Sequence, residues 1–144
     1  MITVKSPREI EQMSRAGRIV AGTLALVASR AAPGVSTWEL DRVAEEYIRS
    51  HDGASPSFKG LYGFPASLCT SINCEVVHGI PSKKRVLKDG DIVSVDVGVC
   101  IGGLHADSAV TATVGAIAPE TARLLETTRR ALVAGIAAAR AGNH

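Results

Sequence analysis

The chain has 144 residues and a mass of 15.0 kDa, the size of one domain. Hydrophobic residues make up 46% and charged residues 21%, which supplies a core and excludes intrinsic disorder. A formal charge of +2 and an aromatic content of 3% exclude a chain devoted to nucleic-acid phosphates or to stacking on bases.

Three cysteines without a CxxC pair argue against a disulfide framework or a zinc knot and fit reduced thiols. The stretch Met1 to Pro7 lacks the charged-then-apolar order of a signal peptide, and Ala131 to Ala139 is too short to span a bilayer. The expectation is a cytoplasmic protein with no membrane segment and no direct nucleic-acid function.

Ser6-Pro7-Arg8-Glu9 predicts a helix start, with an N-cap serine, a proline in the first turn and a capping-box glutamate. Ile10, Met13, Gly17, Val20, Leu24 and Val27 recur at helical spacing as its buried face, and Pro33-Gly34 ends it. Ser36-Thr37-Trp38-Glu39 opens a second helix with Leu40, Val43, Tyr47 and Ile48 as its apolar stripe, ending near His51 to Gly53. Trp38 reads as packing rather than as a ligand-stacking ring. Residues 55–81 are irregular, with a short β-type run from Ser67 to Ile72; a loop-rich stretch this long inside a domain points to function. Lys88 to Asp91 reads as a turn. A last helix is predicted from Pro119 to Arg140, with Leu125, Leu132 and Ile136 on one face, a Glu126/Arg130 pair, and Gly142-Asn143 as its stop.

The plainest strand is Ile92 to Ile101. Val93, Val95, Val97, Val99 and Ile101 face one way, and Ser94, Asp96, Gly98 and Cys100 the other. Gly102-Gly103 predicts a tight hairpin turn. If Ile101 faces Leu104, then Gly98 faces Asp107 and Asp96 faces Ala109. Asp96 and Asp107 become diagonal neighbours on one face, their α-carbons about 7–8 Å apart or less. Two carboxylates so close repel unless a cation lies between them, and small Gly98 and Ala109 are expected to leave room for it. Hard carboxylate oxygens suit Mn, Fe, Co or Zn. The competing reading is a pair of solvated aspartates on an exposed hairpin.

These motifs, with Ala32-Pro33-Gly34-Val35-Ser36-Thr37, Ser71-Ile72-Asn73 through Val77-His78-Gly79-Ile80-Pro81, and Leu87 through Val93, fall in the order seen in type I methionine aminopeptidases. The chain resembles that family over residues 5–144, in its short bacterial form. The resemblance implies an α/β pita-bread domain, here its N-terminal half, with an antiparallel hairpin sheet packed by helices. It implies two divalent metal ions (Co, Mn, Fe or Zn). Asp96 would chelate one and Asp107 would bridge both. His78 would bind substrate and steady the tetrahedral intermediate. Leu61, Phe64 and Cys69 would line the methionine pocket, with Leu61 where the family usually has an aromatic. Backbone carbonyls at Asn73 and Glu75 would help hold a monovalent cation. His105 is expected to support the site rather than ligate metal, and His51, His144 and the Arg129-Arg130 pair to lie on the surface.

Residues 1–144 are expected to form a single peptidase-type domain that stops before the second pseudo-symmetric half. That half would bring a histidine and two glutamates as further ligands. The implied reaction is removal of N-terminal methionine from nascent proteins, with the ribosome as a possible neighbour. The chain alone is expected to bind metal weakly, to catalyse little and to self-associate, and its missing half could come from another chain. The alternatives are a catalytically silent pita-bread binding module and a proline-specific metallopeptidase.

Overall fold

Both capping boxes form, and each starts a helix. The computed structural model describes residues 3–144; Met1 and Ile2, part of the stretch read for a signal peptide, lie outside the described residues. Helix α1 spans Pro7–Arg30 and helix α2 spans Thr37–Arg49. The Ser6 amide donates to the Glu9 carboxylate at 2.7 Å, and the Glu9 amide donates back to Ser6 Oγ at 3.4 Å. Ser36 and Glu39 repeat the exchange at 2.8 and 3.3 Å. Each box satisfies helix-end amides that have no partner within the helix, worth about 1 kcal/mol per cap.

Four strands follow: β1 (Ala54–Pro56), β2 (Leu68–Ile72), β3 (Ile92–Ile101) and β4 (Leu104–Thr113), all antiparallel about β3. β4 pairs with the whole of β3. β1 meets Val99 to Ile101 and β2 meets Val93 to Val97, so both lie on the opposite edge of β3. β1 has no signal in the sequence, being three residues long and ending in proline. The turn before β3 forms as expected, with the Lys88 amide donating to Asp91 Oδ2 at 2.8 Å.

The valine face of β3 makes the core. Val93, Val95, Val97 and Val99 are fully buried, packed with Leu40, Ala44 and Ile48 of α2 and with Ile19, Val20, Leu24 and Val27 of α1. Each buried valine contributes about 1.5–3 kcal/mol. Two helices on one face leave the other face of the sheet free to carry chemistry.

Three expectations for the helices need correction. Ile10 is 56% exposed, and the buried face of α1 starts only at Ala16. Gln12 Nε2 donates to the Ile101 carbonyl at 3.2 Å, so α1 passes the turn end of the hairpin there, and Ile10 reaches beyond it. Trp38 packs against a loop, with Lys83 Nζ 4.3 Å from the centre of its ring. That loop is stitched to the start of α2 by Thr37 N to Arg85 O and Gly34 N to Leu87 O, both 2.9 Å. Helix α3 runs Pro119–Ala138 and buries no residue; Leu132 and Ile136 are exposed. Glu126 pairs with Arg129 at 2.9 and 3.0 Å instead of with Arg130, because the shorter spacing lets both carboxylate oxygens meet the guanidinium. The expected stop does form: Asn143 Nδ2 donates to the Ala138 carbonyl at 2.8 Å, and Gly142 takes a φ of +90°. Among the described residues no helix is long and apolar enough to cross a membrane.

Candidate functional site

The hairpin register is the one expected: Ile101 opposite Leu104, Gly98 opposite Asp107, and Asp96 opposite Ala109. Asp96 and Asp107 therefore rise from the face of the sheet opposite α1 and α2 and line one pocket. Partial burial pushes the Asp96 carboxyl above the usual carboxylate range, and the nearby Asp107 charge pushes the same way. His78 opposes this more weakly.

Gly98 is small for another reason than the one expected. It leaves no room for an ion, because a Cβ there would stand 2.8 Å from Ser57 Cβ and 2.9 Å from Phe58 Cε1. The glycine lets the chain after β1 cross the sheet, held by Ser57 N to the Gly98 carbonyl at 2.9 Å. Phe58 thereby becomes a pocket wall. His105 is exposed, and its Nδ1 lies 2.9 Å from Ser57 Oγ, so it steadies this crossing from outside the pocket.

β2 supplies the next side chain. Cys69 is paired in register with Asp96 and is buried. Burial first, and then the charges of Asp96 and Asp107, lift its thiol to about 11. It is thus a neutral, small, polarisable group at neutral pH. The start of β2 is held by Asp41 of α2, whose Oδ1 accepts from the Ser67 and Leu68 amides at 2.8 Å each. Desolvation raises the Asp41 carboxyl despite those two bonds. Nothing in the sequence marks Asp41 except its place among apolar positions of α2.

His78 reaches the pocket from the loop beyond β2. Its φ is +60°, and the adjacent Gly79 is drawn onto the strand: Thr70 N donates to the Gly79 carbonyl at 2.7 Å, and Gly79 N donates to Ser71 Oγ at 3.2 Å. The histidine itself is exposed.

The pocket encloses about 600 Å³ and brings together six of the expected residues: Leu61, Phe64, Cys69, His78, Asp96 and Asp107. Phe58, Tyr62, Gly63, Pro65 and Ile80 complete its lining and were not foreseen; Gly60 and Gly63, which mark a tight turn, are the signal for the residues around them. A second groove of about 670 Å³ lies between the sheet and α3 and shares Cys69, His78 and Asp96 with the first. Asn73 and Glu75 line neither pocket. Their side chains hold the turn after β2: Asn73 Nδ2 donates to Asp91 Oδ1 at 2.8 Å, and Glu75 accepts from the Ile72 amide at 2.7 Å and pairs with Arg85.

Two mutually repelling carboxylates in a pocket lined by no lysine or arginine suit a divalent cation. They form an incomplete donor set, since among the described residues no cluster of three or more His, Cys, Asp or Glu is arranged to hold a metal. Apolar walls stand beside the acidic oxygens in this pocket.

The chain belongs to metallopeptidase family M24, which it matches over residues 11–144. Within that family it is similar to methionine aminopeptidases. It is 52% identical to the one from Clostridium perfringens over 136 residues, covering 94% of this chain and 54% of the relative. It is 50% identical to methionine aminopeptidase 1 of Bacillus subtilis, covering 99% and 56%. The crystal structure of methionine aminopeptidase from Thermotoga maritima superposes with a TM-score of 0.87 at 42% identity, over 90% of this chain and 52% of that one. The Xaa-Pro dipeptidase from Bacillus anthracis shares the pita-bread fold alone, at 24% identity and a TM-score of 0.71. The chain spans about half the length of the relatives it matches.

Proposed function

We propose that residues 1–144 form one peptidase-type unit carrying part of the metal set and the side-chain pocket of a cytoplasmic methionine aminopeptidase. The observation that carries this is the Asp96–Asp107 pair in one pocket with Cys69, His78 and an apolar wall. Asp96 would chelate one divalent ion and Asp107 would bridge two, of Co, Mn, Fe or Zn. Divalent ions at that place supply Lewis acidity and the power to acidify water. The chain's own residues do the rest. Phe58, Leu61 and Phe64 would bury the methionine side chain, with the neutral Cys69 thiol beside its thioether. His78 would hydrogen-bond the scissile carbonyl and steady negative charge growing there. Carbonyls at Asn73 and Glu75 would hold a monovalent cation.

Substrates would be N-terminal Met peptides of nascent proteins, met near the ribosome. The remaining ligands would come from chain beyond this unit or from a partner chain, and the exposed apolar face of α3 would make the isolated unit prone to self-associate. The proline-specific alternative has weaker support, since those neighbours are only 20–24% identical. A silent binding module has no use for both carboxylates and His78 together.

Calorimetry with Mn²⁺ or Co²⁺ tests the reading. Weak binding by the chain, abolished in Asp96→Asn and in Asp107→Asn, is expected. So is no cleavage of Met-Ala-Ser by the chain alone. Equal metal binding in wild type and both variants would sink the assignment.

A further inference from the structure

The chain between β2 and His78 has little packing to hold it. Val76 and Val77 are 87% and 62% exposed, and His78 itself is exposed with a φ of +60°. Exposed valines followed by a left-handed residue do not by themselves fix a ring in space. The return limb is better held, since Gly79 is stitched to Thr70 and Ser71 of β2. His78 keeps one place only if something ties the two limbs together.

Arg85 supplies that tie. Its Nη1 donates to the Ile80 carbonyl at 2.9 Å, and its Nη2 donates to the Glu75 carboxylate. One planar group thus joins the limb before His78 to the limb after it. Glu75 is fixed in turn to the end of β2. Its amide donates to the Ile72 carbonyl at 3.1 Å, and its carboxylate accepts from the Ile72 amide at 2.7 Å. Arg85 stands on a firm base, because its carbonyl accepts from Thr37 N of α2 at 2.9 Å and Val86 beside it bridges to Ser36. Arg85 lines neither pocket, so its influence there runs through the loop.

We infer that Arg85 is a positioning residue: by clamping Glu75 and Ile80 it fixes the His78 ring at the pocket of Asp96 and Asp107. This rests on the proposed role of His78 toward a substrate carbonyl. Glu75 is 43% exposed, and an ion pair so open to water adds little stability, so placement is what the pair supplies. Arginine suits the task because its rigid fork holds two acceptors in one geometry, which a lysine ammonium on a flexible stem does not.

The test compares the full chain with Arg85→Met, Arg85→Lys, His78→Ala and the Arg85→Met/His78→Ala double variant. Ring ¹³C relaxation of the histidines reads mobility, and calorimetry with L-methioninamide and Mn²⁺ reads binding. Arg85→Met should loosen the His78 ring and leave as in wild type the His51 and His105 rings, which the Tyr47 carbonyl and Ser57 Oγ hold. It should weaken methioninamide binding about tenfold, the scale of one lost hydrogen bond, and melt within a few degrees of wild type. In the His78→Ala background the same change should cost nothing further. Arg85→Lys should recover part of the loss. An unchanged His78 ring in Arg85→Met, or an equal loss of binding with and without His78, overturns the inference while the aminopeptidase reading stands. Both Arg85 variants melting far below wild type would mark a fold residue and overturn it too. Failure of wild type to bind methioninamide, or no loss in His78→Ala, overturns the proposed role of His78 and this inference with it.

Discussion

Gly79 lies so close to Thr70 that a Cβ on it would overlap the Thr70 carbonyl oxygen. The loop bearing His78 is held to β2 through this contact. Gly79→Ala should therefore cost about 1–3 kcal/mol in urea unfolding, the usual range for forcing atoms into a packed space. It should also move the His78 ring resonances in a histidine-selective NMR spectrum. A variant with unchanged stability and unchanged His78 shifts would contradict this account of the loop.

The acid pair should respond to loss of one member. Burial is the larger cause of the raised Asp96 carboxyl and Asp107 the second. In Asp107→Asn, Asp96 should then titrate lower than in wild type yet stay above the ordinary carboxylate range, as read by carbon-detected NMR. With metal withheld, relief of repulsion should make Asp107→Asn melt no lower than wild type. An Asp96 titration unaffected by the change would show that the two carboxyls do not interact.

Asp41 gives a prediction in pH. The folded chain holds its proton more tightly than the unfolded chain does, since burial raises its carboxyl. Its contribution thus makes stability fall as pH rises from the ordinary aspartate range through the raised folded value, and it is flat above that. Asp41→Asn keeps an oxygen for the Ser67 and Leu68 amides and should flatten this slope relative to wild type. Asp41→Ala leaves two amides without an acceptor and should cost about 1–3 kcal/mol for each. Urea titrations from acid to neutral pH measure both.

The cysteines should separate by reactivity. Cys74 is exposed, whereas Cys69 is buried with its thiol lifted to about 11. Timed alkylation at neutral pH with peptide mass mapping should label Cys74 first and Cys69 only on unfolding, because the thiolate is the reacting form. Early labelling of Cys69 would mean that its surroundings are open and polar.

What the sequence made legible was what depends on local pattern. Unbroken alternation from Ile92 to Ile101 and the Gly102-Gly103 turn were enough to set the hairpin register residue by residue, and with it the pairing of Asp96 and Asp107. The two capping boxes located the helix starts for the same reason. The features that escaped depend on contacts between distant segments. Gly98 reads as space for an ion until Phe58 is seen filling it. Asp41 carries no local signal, because the amides that open β2 reach it from a distant part of the chain. The apolar spacing in α3 promises burial, but burial needs an opposing surface, and periodicity alone does not supply one.

The placement of both aspartates on a single ribbon also has a consequence in time. β3 and β4 are joined by a two-residue turn, whereas β1 and β2 reach β3 only after much longer stretches of chain have closed. Local ribbons close in about 1–10 µs, ahead of long-range pairing. During refolding the acidic corner should thus take shape before the apolar walls close around it.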